Sequence, residues 1–436
     1  IDLRPRPIKT RAEELLQMMN KVSGYQCSLC RQEYALNEVQ YTCPRDGGNL
    51  DVVLDYAAIG QSTRPEEIFA AREHSLWRYL PLLPVQDPAG YDSPFRAAGW
   101  TPLFAPIQLR EALGLASLWI KDESRNPTAS FKDRASAIVV ARARAIGAEV
   151  VVTASTGNAG AALAGMAAAV GQPAVIFAPR TAPPAKIAQL LIYGARVLLV
   201  DGNYDQAFDL SIQAADEFGW YCRNTGYNPF TAEGKKTAAF EIWESLLNRP
   251  AFDGRLTVFV SVGDGNIISG MHKGFKDLLA LGWLEQMPRL VGVQAEGSAA
   301  IARAFRTLPE AGDIPQVLPV SANTLADSIS VDLPRDGVRA VWAASQTGGT
   351  YITVSDDEIL AAVADLGRVG IFAEPAGAAS YAGLVKAVQE GHIAAEDPVL
   401  VLNTGSGLKD VRAAMQAVGE AVVIEPSLES VKRVLK

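Results

Sequence analysis

From about residue 117 onward, short apolar runs alternate with helical patterns, and this alternation constrains the fold more than any other feature of the chain. The runs include EVVVTAS, PAVIFAP and RVLLV, and later RLTVFVSVG, RLVGVQAEG and DPVLVLNTGSG. Continuous β-branched runs between helices indicate strands buried on both faces, and therefore parallel sheets in an α/β protein. Several runs end in Gly- or Ser-rich turns, and ligands of α/β folds bind at such carboxyl ends of strands.

Length and charge narrow the class of protein further. A chain of 436 residues is too long for one ordinary core, so we expect two or three domains. The 40 Lys+Arg against 48 Asp+Glu give a net charge of −8, which does not suggest nucleic acid or an anionic membrane as a partner. No apolar stretch reaches the roughly 18 residues of a membrane span. The basic N-terminus lacks the apolar segment of a secretory signal. Four cysteines do not make a disulfide framework, so we expect a cytoplasmic protein.

Two segments precede the alternating part. Residues 24–56 hold three of the four cysteines and the turn Pro44–Gly48, which predicts a small β-rich knob. Residues 61–100 include the aromatic and proline-rich run WRYLPLLPVQDPAGYDSPF. We expect this segment to be a connecting arm that packs on a surface without regular structure.

The first candidate site segment is SRNPTASFKDR, residues 124–134. Its Asn-Pro-Thr turn precedes a helical stretch, with Ser130 as the predicted N-cap and Lys132 in the first turn. The helix dipole disfavours a cation there, which would help to lower the pKa of Lys132, as a Schiff-base amine requires. The alternative is a solvated surface lysine.

Three further segments each follow a predicted strand. Ser155-Thr156-Gly157-Asn158 opens an Ala/Gly-rich helix, and its backbone N–H groups would suit a substrate carboxylate, with the Asn158 amide on a ring hydroxyl. Gly263-Asp264-Gly265-Asn266 would let the backbone approach a phosphate, although Asp264 is an awkward neighbour for a dianion. Thr404 offers a neutral hydroxyl to a pyridine nitrogen. For each segment the alternative is a Gly-rich turn that only caps or connects packed elements.

Together the four segments supply an amine, a ring-oxygen partner, a phosphate cradle and a ring-nitrogen partner. In this order and at these separations they resemble the fold type II pyridoxal-phosphate (PLP) enzymes, the tryptophan synthase β-like family, and most of all the threonine synthases. Further similar motifs extend the resemblance over roughly residues 24 to 425; they are Trp100-Thr101-Pro102-Leu103, Asn228-Pro229, Glu233-Gly234, Lys236-Thr237 and Glu374-Pro375-Ala376.

The resemblance implies roles for individual residues. Lys132 is the implied Schiff-base lysine and proton shuttle, and the implied cofactor ligands are Phe131, Lys132, Asn158, Gly263, Asp264, Gly265, Asn266 and Thr404. The implied substrate contacts are Ser155, Thr156, Gly157 and Lys235. The implied architecture is two parallel-sheet α/β domains with the cofactor between them and a small N-terminal zinc-ribbon-like knob, in a homodimer. We place the knob in residues 1–60, the large domain in residues 61–132 and 230–436, and the small domain in residues 133–229.

The implied activity is that of a lyase of threonine biosynthesis, which converts O-phosphohomoserine and water to threonine and phosphate. Two positions depart from the pattern. Thr231 stands where relatives carry an arginine for the substrate phosphate, and a threonine cannot replace its bidentate contact. Ser406 stands where many relatives have a histidine. Two alternatives therefore stay open: another β-elimination or β-replacement enzyme of this fold, cysteate synthase-like or ammonia-lyase-like, and a PLP-carrying regulator without turnover.

The cysteines of the knob have zinc-ribbon spacing with one ligand changed. Cys27 and Cys30 are followed by Cys43 and Asp46, so three thiolates and one carboxylate could hold tetrahedral zinc. We expect a metal-free ribbon packed on Tyr25, Tyr34 and Tyr41 and keep the zinc site as the alternative.

Overall fold

The computed structural model describes residues 21–88, 92–182, 184–249, 252–308 and 313–435. The prediction about the N-terminal segment concerns residues 1–20 and lies outside this part. The described residues form three β-sheets of three, six and four strands. None of the helices described is both long and apolar enough to cross a membrane.

The smallest sheet forms the predicted β-rich knob. Its strands are β1 (Val22–Cys27), β2 (Glu33–Tyr34) and β3 (Leu50–Leu54), paired antiparallel in the order β2-β1-β3. The knob packs against the body of the protein through aromatic rings. Tyr41 stacks on Tyr227 with 4.6 Å between ring centroids, and Tyr25 meets Phe230 edge-on at 6.5 Å.

The arm after the knob differs from the expectation. Helix α1 (Tyr56–Ser62) leads into the arm, which contains the helix α2 (Pro65–Phe69) and the 3₁₀ segments Leu76–Leu82 and Pro94–Ala97. The expected lack of regular structure is therefore wrong. Leu76, Trp77 and Tyr79 are buried and join the main hydrophobic core, because their large apolar side chains gain more from burial than from covering a surface.

The six-stranded sheet has the order β12-β11-β10-β13-β5-β4 and is parallel except for β4 at its edge. Every residue of β10 and of β13 is buried, as the continuous apolar runs predict. The strands are β4 (Leu103–Phe104), β5 (Leu118–Asp122), β10 (Thr257–Ser261), β11 (Arg289–Ala295), β12 (Thr350–Val354) and β13 (Val399–Asn403).

The four-stranded sheet is parallel in the order β8-β7-β6-β9. Its strands are β6 (Val151–Ala154), β7 (Ala174–Pro179), β8 (Arg196–Val200) and β9 (Tyr221–Cys222). The expectation of burial on both faces is wrong for RVLLV, which forms β8. This strand lies at the sheet edge, and its Leu199 is 53% exposed.

Helices cover both parallel sheets. In chain order the α-helices after the arm are α3 (Ile107–Ala112), α4 (Lys132–Ala145), α5 (Asn158–Ala168), α6 (Pro184–Ile192), α7 (Tyr204–Phe218), α8 (Phe230–Lys235), α9 (Thr237–Ile242), α10 (Asn266–Ala280), α11 (Ala300–Arg306), α12 (Gly337–Ser345), α13 (Asp356–Arg368), α14 (Pro375–Gln389), α15 (Val411–Val418) and α16 (Leu428–Val434). Short 3₁₀ turns lie at Glu123–Arg125, Glu296–Ser298, Asp327–Ile329 and Gly407–Lys409, and a π-helical turn at Trp243–Leu247.

Each of the three predicted parts of the chain contains one of the three sheets. The boundaries at residues 60, 132 and 229 stay a prediction. The strand–turn–helix junctions at the ends of β6, β10 and β13 carry three of the four candidate segments, and helix α4 carries the fourth.

Candidate active site

The turn before Lys132 is fixed to the loop after β13. The Phe131 N–H donates to the Thr404 carbonyl at 2.9 Å, and the Ser406 N–H donates to the Ala129 carbonyl at 3.1 Å. Helix α4 begins at Lys132 with Phe131 as its N-cap, so the predicted cap, Ser130, is one residue too early. These bonds hold Lys132 beside the carboxyl end of β13, where Thr404 follows the strand.

A buried cluster of charges, here called the scaffold network, supports the same helix. It consists of Arg134, Glu123, Glu241 and Lys121, whose side chains are at most 3% exposed. Arg134 donates to both carboxylates, with Nε 2.7 Å from Glu123 and Nη2 2.8 Å from Glu241. Lys121 Nζ lies 2.7 Å from Glu241. Two positive and two negative groups balance, and the network ties α4 to β5 and α9.

The four candidate segments meet around one cavity of about 560 Å³. Its lining contains nearly all of the predicted cofactor and substrate residues, namely Lys132, Ser155, Thr156, Gly157, Asn158, Lys235, Gly263, Asp264, Gly265, Asn266 and Thr404. Phe131 does not line it. That side chain is fully buried in the core, so its contribution is the backbone bond to Thr404.

Three cations in and beside the cavity, here called the site cations, have lowered pKa values. Burial lowers the pKa of Lys132, and Arg223 lowers it further, whereas Glu374 and Asp264 act in the opposite direction. Burial, Lys132 and Arg223 place the pKa of Lys235 well below its usual range. Burial lowers the pKa of Arg223 to about 10. An amine that loses its proton this readily is suited to nucleophilic and general-base chemistry.

The loop after β10 has the geometry of a phosphate cradle. Helix α10 begins at Asn266, and Gly265 at φ 98° is its N-cap, a conformation that favours glycine. Lys235 Nζ donates to Asn266 Oδ1 at 2.7 Å, which places the amine of Lys235 at the start of this helix. The N-terminus of a 15-residue helix together with a lysine attracts an anion.

Asp264 would repel a bound dianion if it were charged, but one of its carboxylate oxygens is bonded to the backbone. Its Oδ1 accepts the Arg335 N–H at 2.6 Å, while Oδ2 is buried and has no hydrogen-bond partner among the described residues. Burial raises the pKa of this carboxyl to about 6. The group is therefore less often charged near neutral pH than an ordinary aspartate, which reduces its repulsion of a phosphate.

The loop after β6 brings Asn158 to the opposite side of the cavity. Asn158 Nδ2 donates to Glu374 Oε1 at 2.7 Å, which orients the amide at the first residue of α5. Apart from Gly157 and its two chain neighbours, no atom of the described residues lies within 4 Å of the position that a Cβ on Gly157 would occupy, so the backbone there is open to a ligand. Thr404 is a buried neutral hydroxyl in the same lining. An amine, a cradle, an amide and a hydroxyl around one cavity fit the predicted cofactor.

The two departures from the family pattern lie in different surroundings. Thr231 is fully buried, donates to the Asn228 carbonyl at 2.8 Å and does not line the cavity. Ser406 caps a 3₁₀ turn by accepting the Leu408 N–H at 3.3 Å. Neither side chain supplies a charge to the cavity.

Sequence reasoning missed several residues of the site. Tyr204, Asp205 and Arg335 line the cavity, and Arg223 lies behind its lining, where its Nη1 donates to Thr225 at 2.6 Å. Arg223 is fully buried, and within the described part of the chain its Nη2 has no hydrogen-bond partner. The local sequence offered one signal for Arg223: it is a charged residue directly after the apolar pair that forms β9.

In the knob, the four predicted metal ligands converge. One donor atom from each of Cys27, Cys30, Cys43 and Asp46 lies within 4.8 Å of the others. The sulfur atoms of Cys30 and Cys43 are 3.8 Å apart, and Cys27 Sγ is 3.3 Å from Asp46 Oδ1. Two sulfur atoms on one tetrahedral zinc ion lie about 3.8 Å apart when each Zn–S bond is about 2.3 Å. The cluster therefore fits zinc. Of the three knob tyrosines, Tyr25 and Tyr41 contact rings of the body, and the Tyr34 hydroxyl lies 3.0 Å from Cys43 Sγ. The expectation of a metal-free ribbon stays a prediction.

Comparisons with known proteins agree with this geometry. The sequence profile of the family described as "Pyridoxal-phosphate dependent enzyme" matches residues 95–405. A threonine synthase of Methanocaldococcus jannaschii is 40% identical over 94% of this chain and 98% of its own length. One from Methanosarcina acetivorans is 36% identical over the same shares. Among solved structures, the processed form of threonine deaminase isoform 2 from Solanum lycopersicum has a TM-score of 0.63 at 23% identity, covering 77% of this chain and 92% of its own.

Fold and site thus define a pyridoxal-phosphate dependent enzyme of fold type II, in the lyase class, with PLP as its cofactor. Within that class the chain belongs to the threonine synthase family, because both relatives match it over nearly its whole length.

Proposed function

We propose that the chain converts O-phosphohomoserine and water to threonine and phosphate. The observation that carries this proposal is the single cavity in which Lys132 meets the loops after β6, β10 and β13. The names of the curated relatives support it at the level of the reaction.

In this reaction Lys132 would hold the cofactor and move protons. Burial lowers the pKa of its amine, so a neutral base is available to take the proton from the substrate Cα. The bound cofactor supplies an electron sink for the carbanion left at Cα. The three histidines, all in the described part of the chain, line no part of the cavity. We assign the proton transfers to Lys132 because the family motif makes it the Schiff-base lysine.

The remaining groups of the cavity would bind and orient. The first N–H groups of α5 and the hydroxyls of Ser155 and Thr156 would receive the substrate carboxylate. Asn158, oriented by Glu374, would contact the ring oxygen of the cofactor. Gly263–Asn266 with Lys235 would hold its phosphate, and the neutral Thr404 would leave its ring nitrogen largely unprotonated.

A phosphate-bearing substrate requires a cation that Thr231 does not provide. Arg223 supplies one. No carboxylate of the described residues lies within ion-pair distance of it, and its charge already acts on both Lys132 and Lys235. A guanidinium buried in this way is costly unless an anion compensates it. We therefore assign Arg223 as a positioning residue that favours an anionic leaving group through its field and through Thr225.

Phosphate release from O-phosphohomoserine, measured with threonine formation, tests the reaction. Both products should appear in equal amounts and require PLP. Ammonia release from serine or threonine, without phosphate release from O-phosphohomoserine, would favour an ammonia-lyase-like enzyme. Replacement of the phosphate of phosphoserine would favour a cysteate synthase-like enzyme. Spectral shifts without turnover on every substrate would favour the regulator.

Arg223→Met tests the assignment of the leaving-group cation. We expect KM for O-phosphohomoserine to rise about tenfold, equivalent to about 1.4 kcal/mol, with kcat within about twofold. The affinity for threonine, which lacks a phosphate, serves as the control and should not change. An equal loss for both ligands would show that Arg223 only supports the fold.

A cytoplasmic homodimer completes the proposal. Helix α15 exposes Val411, Met415 and Val418, and exposed apolar side chains on one short helix suit a contact with a second copy. Light scattering at several concentrations should give the mass of a dimer; a stable monomer would exclude it.

A further inference from the structure

Two residues at the third strand of the knob connect it to the cofactor cradle, each through intermediate residues of the body of the protein. Asn49 lies just before β3 and Asp51 lies in it, a few residues after the metal ligand Asp46. Neither belongs to the cavity lining. Each begins a separate chain of bonds that ends in the loop Gly263–Asn266.

Gly48, the residue before Asn49, is bonded to the metal-ligand cluster. The Gly48 N–H donates to Asp46 Oδ1 at 2.8 Å, and the Cys43 N–H donates to the Gly48 carbonyl at 2.9 Å. A Cβ on Gly48 would lie 2.7 Å from Cys27 Sγ, so the backbone at this residue passes directly against the donor atoms. The position of Asn49 therefore depends on the arrangement of the four ligands.

The first chain of bonds runs through Arg335. Asn49 Nδ2 donates to the Gly226 carbonyl at 2.5 Å and to the Arg335 carbonyl at 3.2 Å. The N–H of Arg335 donates in turn to Asp264 Oδ1 at 2.6 Å. One side chain of the knob thus fixes the segment that holds Asp264 of the cradle.

The second chain runs through a buried ion pair. Arg339 Nη1 lies 2.7 Å from Asp51, and its Nε lies 2.6 Å from Asp336 Oδ1. Asp336 Oδ2 accepts from Asn266 Nδ2 at 2.6 Å, and Asn266 Oδ1 accepts from Lys235 at 2.7 Å. Asp336, Asn266 and Lys235 are each at most 2% exposed, so water does not compete for these bonds.

We propose that the knob binds zinc through Cys27, Cys30, Cys43 and Asp46 and that the metal braces the cofactor cradle, with Asn49 and Asp51 as positioning residues. Zinc and PLP then bind cooperatively, because each stabilises the arrangement that the other requires. By linkage, loss of zinc weakens PLP binding by the same factor by which loss of PLP weakens zinc binding. The inference rests on the proposed cofactor site.

The test combines metal content with PLP affinity, measured on the full chain by titrating PLP into cofactor-free protein and following the visible absorption. Wild-type protein should contain one zinc ion per chain by elemental analysis. Removal of the metal with a chelator should weaken PLP binding about tenfold, within the usual range of coupling between sites, and added zinc should restore it.

Single substitutions test separately the metal ligands and the residues that connect the knob to the cradle. Cys30→Ser should lose zinc and bind PLP about tenfold more weakly, and Asp46→Cys should keep both ligands. Asn49→Ala should keep zinc and bind PLP more weakly. Removal of its zinc with a chelator should lower its PLP affinity by a smaller factor than in the wild-type protein. Asn37→Ala is the matched control, because Asn37 is an exposed asparagine of the same knob; it should behave as wild type.

The outcomes distinguish this inference from the proposed function. A protein that binds zinc but whose PLP affinity is the same with and without the metal would overturn the brace and leave the cofactor site intact. A knob that takes up no zinc would overturn it as well. Absence of PLP binding in wild-type protein at any metal content would instead reject the cofactor site itself.

Discussion

The scaffold network is fully buried, as are the site cations Arg223 and Lys235, while Lys132 is partly exposed in the cavity; yet burial has opposite consequences in the two regions. In the scaffold network two cations face two carboxylates, and Arg134 with Lys121 lowers the pKa of Glu241 to about 2 against the effect of burial. In the site, Lys132, Arg223 and Lys235 form no ion pair with a carboxylate of the described residues, and the pKa of each is lowered.

The difference separates charges that hold the fold from charges that are available to ligands. Paired buried ions are satisfied before anything binds, whereas buried cations without ion pairs are stabilised by a bound anion. A phosphate-bearing cofactor and a phosphate-bearing substrate are two such anions. Three predictions test this contrast, from the largest expected effect to the smallest.

Glu241→Gln breaks the scaffold network. It leaves Arg134 and Lys121 with one carboxylate fewer, so we expect the free energy of unfolding to fall by about 3–5 kcal/mol. Denaturant unfolding measures this loss. Glu285→Gln, at an exposed glutamate, is the control and should stay within about 0.5 kcal/mol of wild type. If Glu241→Gln changed the free energy of unfolding as little as the control does, the scaffold network would not be what stabilises the position of α4.

Lys235→Met removes a site cation while keeping a long side chain. We expect PLP affinity to fall about ten- to hundredfold, because a charge-assisted bond to the phosphate is lost. The free energy of unfolding without PLP should stay within about 1 kcal/mol of wild type, since no ion pair is broken. Spectroscopic titration and denaturant unfolding give the two values. A large loss of stability with unchanged PLP affinity would place Lys235 among the structural charges.

The pH dependence of stability should differ in sign between the two regions. Burial raises the folded-state pKa of Asp264 to about 6, so the folded protein binds an extra proton and its stability rises as the pH falls from about 6 to 4. The lowered pKa of Glu241 has the opposite effect, and its contribution is lost as the pH falls from about 4.5 towards 2.

Asp264→Asn isolates the first effect. In cofactor-free protein it should flatten the stability profile between pH 4 and 6 by on the order of 1 kcal/mol. Unfolding curves across this range measure the change. An unaltered profile would show that Asp264 has an ordinary pKa in the folded state.

Local patterns predicted most of the fold and the cavity lining. Each β-branched run followed by a Gly- or Ser-rich turn specifies a buried strand, its end and a helix start, so the loops at Asn158, Gly263 and Thr404 could be found without a structure. The exposure of β8 could not, because a strand's place at a sheet edge depends on pairing with distant segments.

Long-range contacts account for the residues that were missed. Arg223 and Arg335 follow no ligand-binding pattern, and they reach the site only because β9 and the segment before α12 pack beside the cavity. The cysteine spacing identified the donor set of the knob. That Asn49 touches the segment of Arg335, 286 residues later, required the tertiary structure.

The central claim is that Lys132 holds PLP, and Lys235 provides a demanding comparison because it is a second lysine of lowered pKa in the same cavity. Borohydride reduction of the PLP-loaded protein, followed by peptide mass mapping, fixes the cofactor on the lysine that carries it. We predict one phosphopyridoxyl group, on the peptide that contains Lys132. The same group on the peptide that contains Lys235, or no modified peptide, would contradict the account.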